Sequence, residues 1–144
     1  MSSTAKMQAL VTVEGNKTEV KEVPIPSLDK DEILIRTSAV TLNPTDWKHV
    51  AFLSPPGVIV GCDFAGVVEE LGQDVKNTSI KKGDRVAGFV HGAKHTDNGS
   101  FAQYVKANSE LVAKIPDNIQ DSTASCLGIA GETAVQVSDD PRAQ

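Results

Sequence analysis

Asn43-Pro44-Thr45-Asp46-Trp47-Lys48 sets an amide, a hydroxyl, a carboxylate, an indole and an ammonium side by side. At the mouth of a strand-to-helix turn, such groups can hold a polar ligand. The same residues also make a plain helix start. Asn43 and Asp46 are of capping type, Pro44 suits a first helical position, and Trp47 would then fill core. Gly61-Cys62-Asp63-Phe64-Ala65-Gly66 is the second candidate. Cys62 could act as a nucleophile or a metal ligand, but a nucleophile wants a His partner and zinc wants three or four ligands. Nothing in the spacing ties His49, His91 or His95 to it, so Cys62 reads as a small buried apolar side chain. His91 and His95 are four apart, yet Gly92 and the following Thr-Asp-Asn-Gly make that stretch a polar loop. No GxGxxG opens a helix behind a strand. Gly128-Ile129-Ala130-Gly131 lacks the spacing, so the chain carries no dinucleotide-binding fold of its own.

The elements that must position these residues are mostly strands. Lys6–Val13 and Thr18–Val23 flank Gly15-Asn16, which is hairpin-turn chemistry. Pro24-Ile25-Pro26 excludes helix and central strand. Glu32–Val40 alternates, with Ile33, Ile35 and Thr37 against Leu34, Arg36 and Ser38. Gly57–Leu71 is a long apolar run, and Gly61 and Gly66 within it mark a bulge or a close backbone approach. Asp84–Val90, Ser100–Lys106 and Leu111–Ile115 complete the strands. Two stretches read as helix: Asn43–Val50, and Ser122–Val137 capped by Asp121 or Ser122. Gly128 and Gly131 weaken the second by up to about 1 kcal/mol each relative to Ala, which suggests a close neighbour. The pattern is that of a mainly β fold, a compact or partly open barrel, with a C-terminal helix whose apolar stripe needs a partner. The polar tail Ser138-Asp139-Asp140-Pro141-Arg142-Ala143-Gln144 reads as frayed.

The 144 residues suffice for one domain with a core. Hydrophobic residues make up 40% and charged residues 23%, so the chain is neither disordered nor fibrous. Its net charge of -5, without a Lys/Arg run, argues against nucleic acid or an anionic membrane as the main partner. Cys62 and Cys126 are too few for a disulfide scaffold, and a single bridge between them stays open. The start lacks the long apolar run of a secretory signal, and no stretch approaches a membrane span. A reducing, cytoplasmic setting is the expectation. The three N-glycosylation patterns, at Asn16, Asn77 and Asn98, then read as chance matches.

Taken in order, MQALVTVEGN, VKEVPIPSLDKDEILIRTSAVTLNPTDWK, GCDFAGVVEELG, KKGDRVAGFVHG, GSFAQYVKA and LVAKIPDNI resemble the N-terminal GroES-like domain of the medium-chain dehydrogenase/reductase superfamily. The wording of NPTDWK, GCDFAG and GDRVAGFVHG is most similar to the fungal toxD-like, trans-acting enoyl reductase branch. The resemblance runs from Met7 to about Ile119 and continues through the helix to Val137. It implies a GroES-like, partly open β-barrel over residues 1–120, followed by a linking helix and truncated tail over residues 121–144.

The resemblance also implies an NADPH-dependent reductase without zinc. In the zinc alcohol dehydrogenases a Cys stands where Asn43 is, and a His-Glu pair where Cys62-Asp63 is. The four-Cys zinc lobe is absent as well. Zinc-free members use the NPTDWK turn at the nicotinamide end of the cofactor, so Asn43, Thr45, Asp46, Trp47 and Lys48 become cofactor candidates. Thr133 matches a Thr near the nicotinamide and substrate. Lys48 and Thr133 become catalytic candidates, able to orient substrate or to hydrogen-bond an enolate oxygen. Against that stand the ordinary fates of these types, an exposed Lys and a core-facing Thr. The family continues into a Rossmann domain, which these residues do not include. The expectation is therefore a chain that keeps the fold and is inactive alone. Its partners would be a Rossmann-domain chain, a second copy or a polyketide synthase. The alternatives are a non-enzymatic interaction module and a non-functional fragment.

Overall fold

The computed structural model describes residues 5–139, so Asp140–Gln144 of the polar tail lie outside the described residues. Strands β1 (Lys6–Val13) and β2 (Lys17–Pro24) form an antiparallel hairpin in the register Lys6↔Pro24 to Val13↔Lys17. Gly15 and Asn16 turn it with φ of 77° and 57°. Met7, Ala9 and Val11 face inward from alternate positions of β1.

Five further strands make the main sheet: β3 (Glu32–Thr41), β4 (Asp63–Leu71), β5 (Arg85–Phe89), β6 (Tyr104–Asn108) and β7 (Val112–Lys114). Their order is β6-β3-β4-β5-β7, and every pairing is antiparallel. Ile33, Ile35, Phe64, Val68, Val86 and Val105 enclose the core. Burying each such side chain contributes about 1.5–3 kcal/mol. The strands do not close into a barrel. Two arms instead clasp β1. Thr12 N–H donates to Val58 O and Val60 N–H to Leu10 O, both at 3.0 Å, while Leu10 N–H donates to Phe101 O at 2.8 Å.

Three elements differ from the sequence reading. The apolar run Gly57–Leu71 is not one strand. Pairing in the main sheet starts at Asp63, and the first part is an arm with a single bridge, Val11↔Ile59. Gly61 causes the break. Its φ of 97° leaves the β region, and a Cβ there would collide with Phe101 and Ser100. Ser100–Lys106 likewise pairs in the main sheet only from Tyr104 and runs on to Asn108, because its first residues belong to the second arm.

The helix expected over Ser122–Val137 is broken. Helix α2 (Asp121–Ala124) passes into a 3-10 turn at Ser125–Leu127, and helix α3 (Gly128–Asp139) follows. The break falls where Gly128 lies so close to Asp63 that a Cβ would collide with the carboxylate. The glycine that weakens the helix in isolation is what lets it approach β4. The other helix, α1 (Pro44–Phe52), starts where Pro44 suggests and extends two residues beyond Val50.

A bulge in the β3–β4 ladder between Thr37 and Ala39 turns Ser38 outward. Its hydroxyl reaches Asp121 Oδ2 at the head of α2, and Arg85 of β5 binds the other oxygen of the same carboxylate. Arg85 also donates to Ile119 O at 2.6 Å.

Candidate functional site

The NPTDWK turn links the end of β3 to α1. Asp46, three residues after Asn43, turns its Oδ2 back to accept the Asn43 backbone N–H at 2.7 Å. This satisfies a donor at the helix start and places a carboxylate at the positive end of α1. Asp46 is 5% exposed. Its other oxygen, Oδ1, is buried without a hydrogen-bond partner.

Cys62 lies beside that carboxylate. Burial, and next the negative charge of Asp46, push the thiol up to about 12. Cys62 is therefore a protonated, buried small side chain, as its sequence context suggests, and not a poised nucleophile. Cys62 is buried, Cys126 is exposed and both are free, which settles the disulfide left open above. Cys126 Sγ instead accepts from Thr41 and donates to Ser122 O.

Asp63 is wholly enclosed, at 0% exposure, and both its oxygens are engaged. Oδ2 accepts the Asn43 side-chain amide at 3.0 Å, and Oδ1 accepts the Ile129 backbone N–H at 2.9 Å. One carboxylate thus touches the start of α1 and the start of α3. It is the residue the sequence reading passed over as a site member. The signal was a lone acid inside an apolar run, where a charge is costly unless it is fully bonded.

The remaining candidates are on the surface. Thr45 is half-buried, and its hydroxyl meets His49 Nε2 at 3.2 Å. The other ring nitrogen of His49 lies 3.4 Å from Gly92 O, which seats α1 on the loop that follows β5. His91 and His95 are exposed on that loop, and no cluster of metal-ligating side chains occurs among the described residues. Trp47 is 59% exposed, so it does not fill core. Its aromatic face instead borders a cleft of about 400 Å³ shared with Leu10, Leu42, Val60 and Phe101. Lys48 is exposed, 5.8 Å above the Trp47 ring, and makes no ion pair among the described residues. Thr133 is exposed on α3, not turned to the core, one helical turn beyond Ile129. The structure therefore gathers Asn43, Thr45, Asp46, Trp47 and Lys48 on one turn. Thr133 stands on a separate helix joined to that turn through Asp63.

Residues 29–117 match the alcohol dehydrogenase GroES-like domain, and the chain belongs to that family. It is 47% identical over 132 residues to the trans-enoyl reductase TOXD of Cochliobolus carbonum, covering 90% of this chain and 44% of that one. Among solved structures, the quinone oxidoreductase from Coxiella burnetii superposes with a TM-score of 0.79 at 29% identity, over 92% of this chain and 44% of that one. The mycobacterial Rv1454c complexed with NADPH superposes with a TM-score of 0.74 at 28% identity, over 94% and 40%. The chain thus spans less than half the length of these relatives. It corresponds to the N-terminal part of enoyl- and quinone-reductase-like members of the medium-chain dehydrogenase/reductase superfamily. No helix among the described residues is long and apolar enough to cross a membrane.

Proposed function

We propose that this chain supplies the GroES-like half of a zinc-independent, NADPH-dependent reductase that acts on an activated double bond, and that it is inactive alone. The observation that carries the zinc-free reading is the donor set at Asn43 and Asp63. An amide is a poor zinc ligand, and both Asp63 oxygens already accept hydrogen bonds. The site does not fit zinc.

The surface of α1 fits the cofactor better. Thr45 offers a hydroxyl, Trp47 an exposed aromatic face and Lys48 a cation without an ion pair among the described residues. Asn43 and Asp46 would serve the cofactor through the turn they hold, since their polar groups face inward. NADPH, when bound, supplies hydride. Lys48 and Thr133 would orient the substrate and donate hydrogen bonds to the enolate oxygen as charge develops there. Hydride transfer needs donor and acceptor in near-attack geometry. The described strands pair only antiparallel, so they do not form the parallel sheet that holds a dinucleotide.

A two-dimensional amide spectrum of the isolated chain, recorded with and without NADPH, tests this reading. Shifts confined to Asn43–Lys48 and Thr133 are expected. A spectrum that ignores NADPH would overturn the cofactor role. Robust NADPH oxidation by the isolated chain, with enones or acyl thioesters, would overturn the inactivity.

The exposed face of α3 favours a second reading, an interaction module. This helix has no buried residue, and its Val135 and Val137, with Leu127 in the turn just before it, are each more than half exposed. The helix borders an apolar groove of about 650 Å³ with Val112, Ile115 and Ile119. A Rossmann domain, in this protein or in a partner, is the occupant we favour, as the resemblance to the reductase family implies. A pull-down against such a domain, a second copy and a polyketide synthase separates the three.

A further inference from the structure

Asn43 heads α1, which carries Lys48, and Ile129 lies in the first turn of α3, which carries Thr133. The two are 86 residues apart in sequence, and one enclosed carboxylate binds both. The Asn43 side-chain amide donates from the start of α1 to Asp63. At the far side, Ile129 N–H is a helix-start donor with no partner within α3, and Asp63 satisfies it. Gly128 brings the helix close enough for this bond, since any Cβ there would strike the same carboxylate. Every polar contact on Asp63 is therefore either to the turn or to α3, and none reaches solvent.

From this we propose that Asp63 is a positioning residue, setting the placement of the α1 turn with Lys48 against the helix that bears Thr133. The assignment rests on the reading of those two side chains as halves of one site. Its physical core is a coupling between the turn and α3 that exists without cofactor or substrate.

Asn43→Ala tests that coupling, because it removes the amide that binds Asp63. Hydrogen exchange is read by NMR on the full chain. The Ile129, Glu132 and Thr133 amides are expected to exchange about tenfold faster, as loss of an enclosed hydrogen bond implies, while β3 and β4 amides keep their protection. Asp63→Asn should loosen the same amides, since the charged acceptor of both bonds becomes a neutral amide. The combined variant Asn43→Asp with Asp63→Asn exchanges donor and acceptor and should restore protection. A side chain that merely fills space would not be rescued by that swap. Faster exchange confined to residues 43–48 in Asn43→Ala would overturn the proposal. So would a folded swap variant no better protected than Asp63→Asn. If Asp63→Asn does not fold, Asn43→Ala decides alone. The measurement uses no NADPH, so failure of the cofactor reading appears separately, in the NADPH titration of the parent chain.

Discussion

Asp121 and Asp63 anchor the two ends of the same C-terminal segment, one at the head of α2 and the other at the head of α3. Asp121 is partly exposed, and it binds a hydroxyl and a guanidinium. Asp63 is sealed, and it binds two neutral N–H donors. If the first is cut, water reaches the loose ends. If the second is cut, an amide and a backbone N–H on half-buried residues lose an acceptor that is itself closed to water. An unmade buried hydrogen bond costs more than a made one contributes, so the two anchors differ in strength although both are carboxylates.

The largest expected effect is Asp63→Ala. Two half-buried donors lose a fully buried acceptor, a loss of about 2–4 kcal/mol in denaturant unfolding. A loss under about 1 kcal/mol would mean that the segment re-solvates as easily at α3 as at α2.

The sealed side also has an alkaline limit. A thiol whose folded value lies above its unfolded one holds its proton more tightly in the folded state. Stability is then full below the ordinary thiol value of 9.0 and falls as pH rises from there toward about 12. The slope is at most about 1.4 kcal/mol per pH unit. Cys62→Ala should abolish that slope, whatever its effect at neutral pH. Unfolding curves from pH 8 upward would show an unchanged slope if Cys62 were open to solvent.

Strands with plain alternation were legible in the sequence, and the contacts that join the two regions were not. Alternation along Glu32–Val40 and the Gly15-Asn16 turn are local, and local signals survive folding. The break at Gly128 depends on Asp63, 65 residues earlier, and no periodicity records that approach. The Ser38 bulge is similar: its purpose lies at Asp121, in another element. At the candidate site the residues of α1 were found because they are consecutive. The plain helix-start reading of that turn put Trp47 in the core, yet it borders an open cleft. Asp63 was in view as a departure from a zinc pattern. Its two partners, 20 and 66 residues away, gave it a role only in three dimensions.

On the exposed side, Asp121→Ala should cost about 1 kcal/mol, since Arg85 and Ser38 regain water. The Ser38 hydroxyl, followed by the Arg85 guanidinium, holds the Asp121 carboxyl below the usual carboxylate range. The carboxyl therefore binds its proton less tightly in the folded state. Its contribution is complete above the unfolded value of about 4 and is lost as pH falls through the lower folded value. Acid titration of the parent and Asp121→Ala chains should converge below that window, and added salt should narrow the gap between them. A gap that persists at low pH would assign the effect to packing.

The smallest expected effect on stability belongs to Lys48→Met. The ammonium is exposed and makes no ion pair among the described residues, and its contact with the Trp47 ring is a surface one. Thermal unfolding should move by no more than about 0.5 kcal/mol, the range of surface changes away from special features. The same substitution should remove the NADPH-dependent amide shifts along Asn43–Trp47, because those depend on what α1 presents to a ligand and not on what holds α1 in place. Asp63→Asn should show the opposite balance, with a large stability loss and its exchange signature at α3. If Lys48→Met destabilised the fold as Asp63→Asn does, the exposed turn would be part of the scaffold, and the division between a surface that binds and a buried carboxylate that positions would fail.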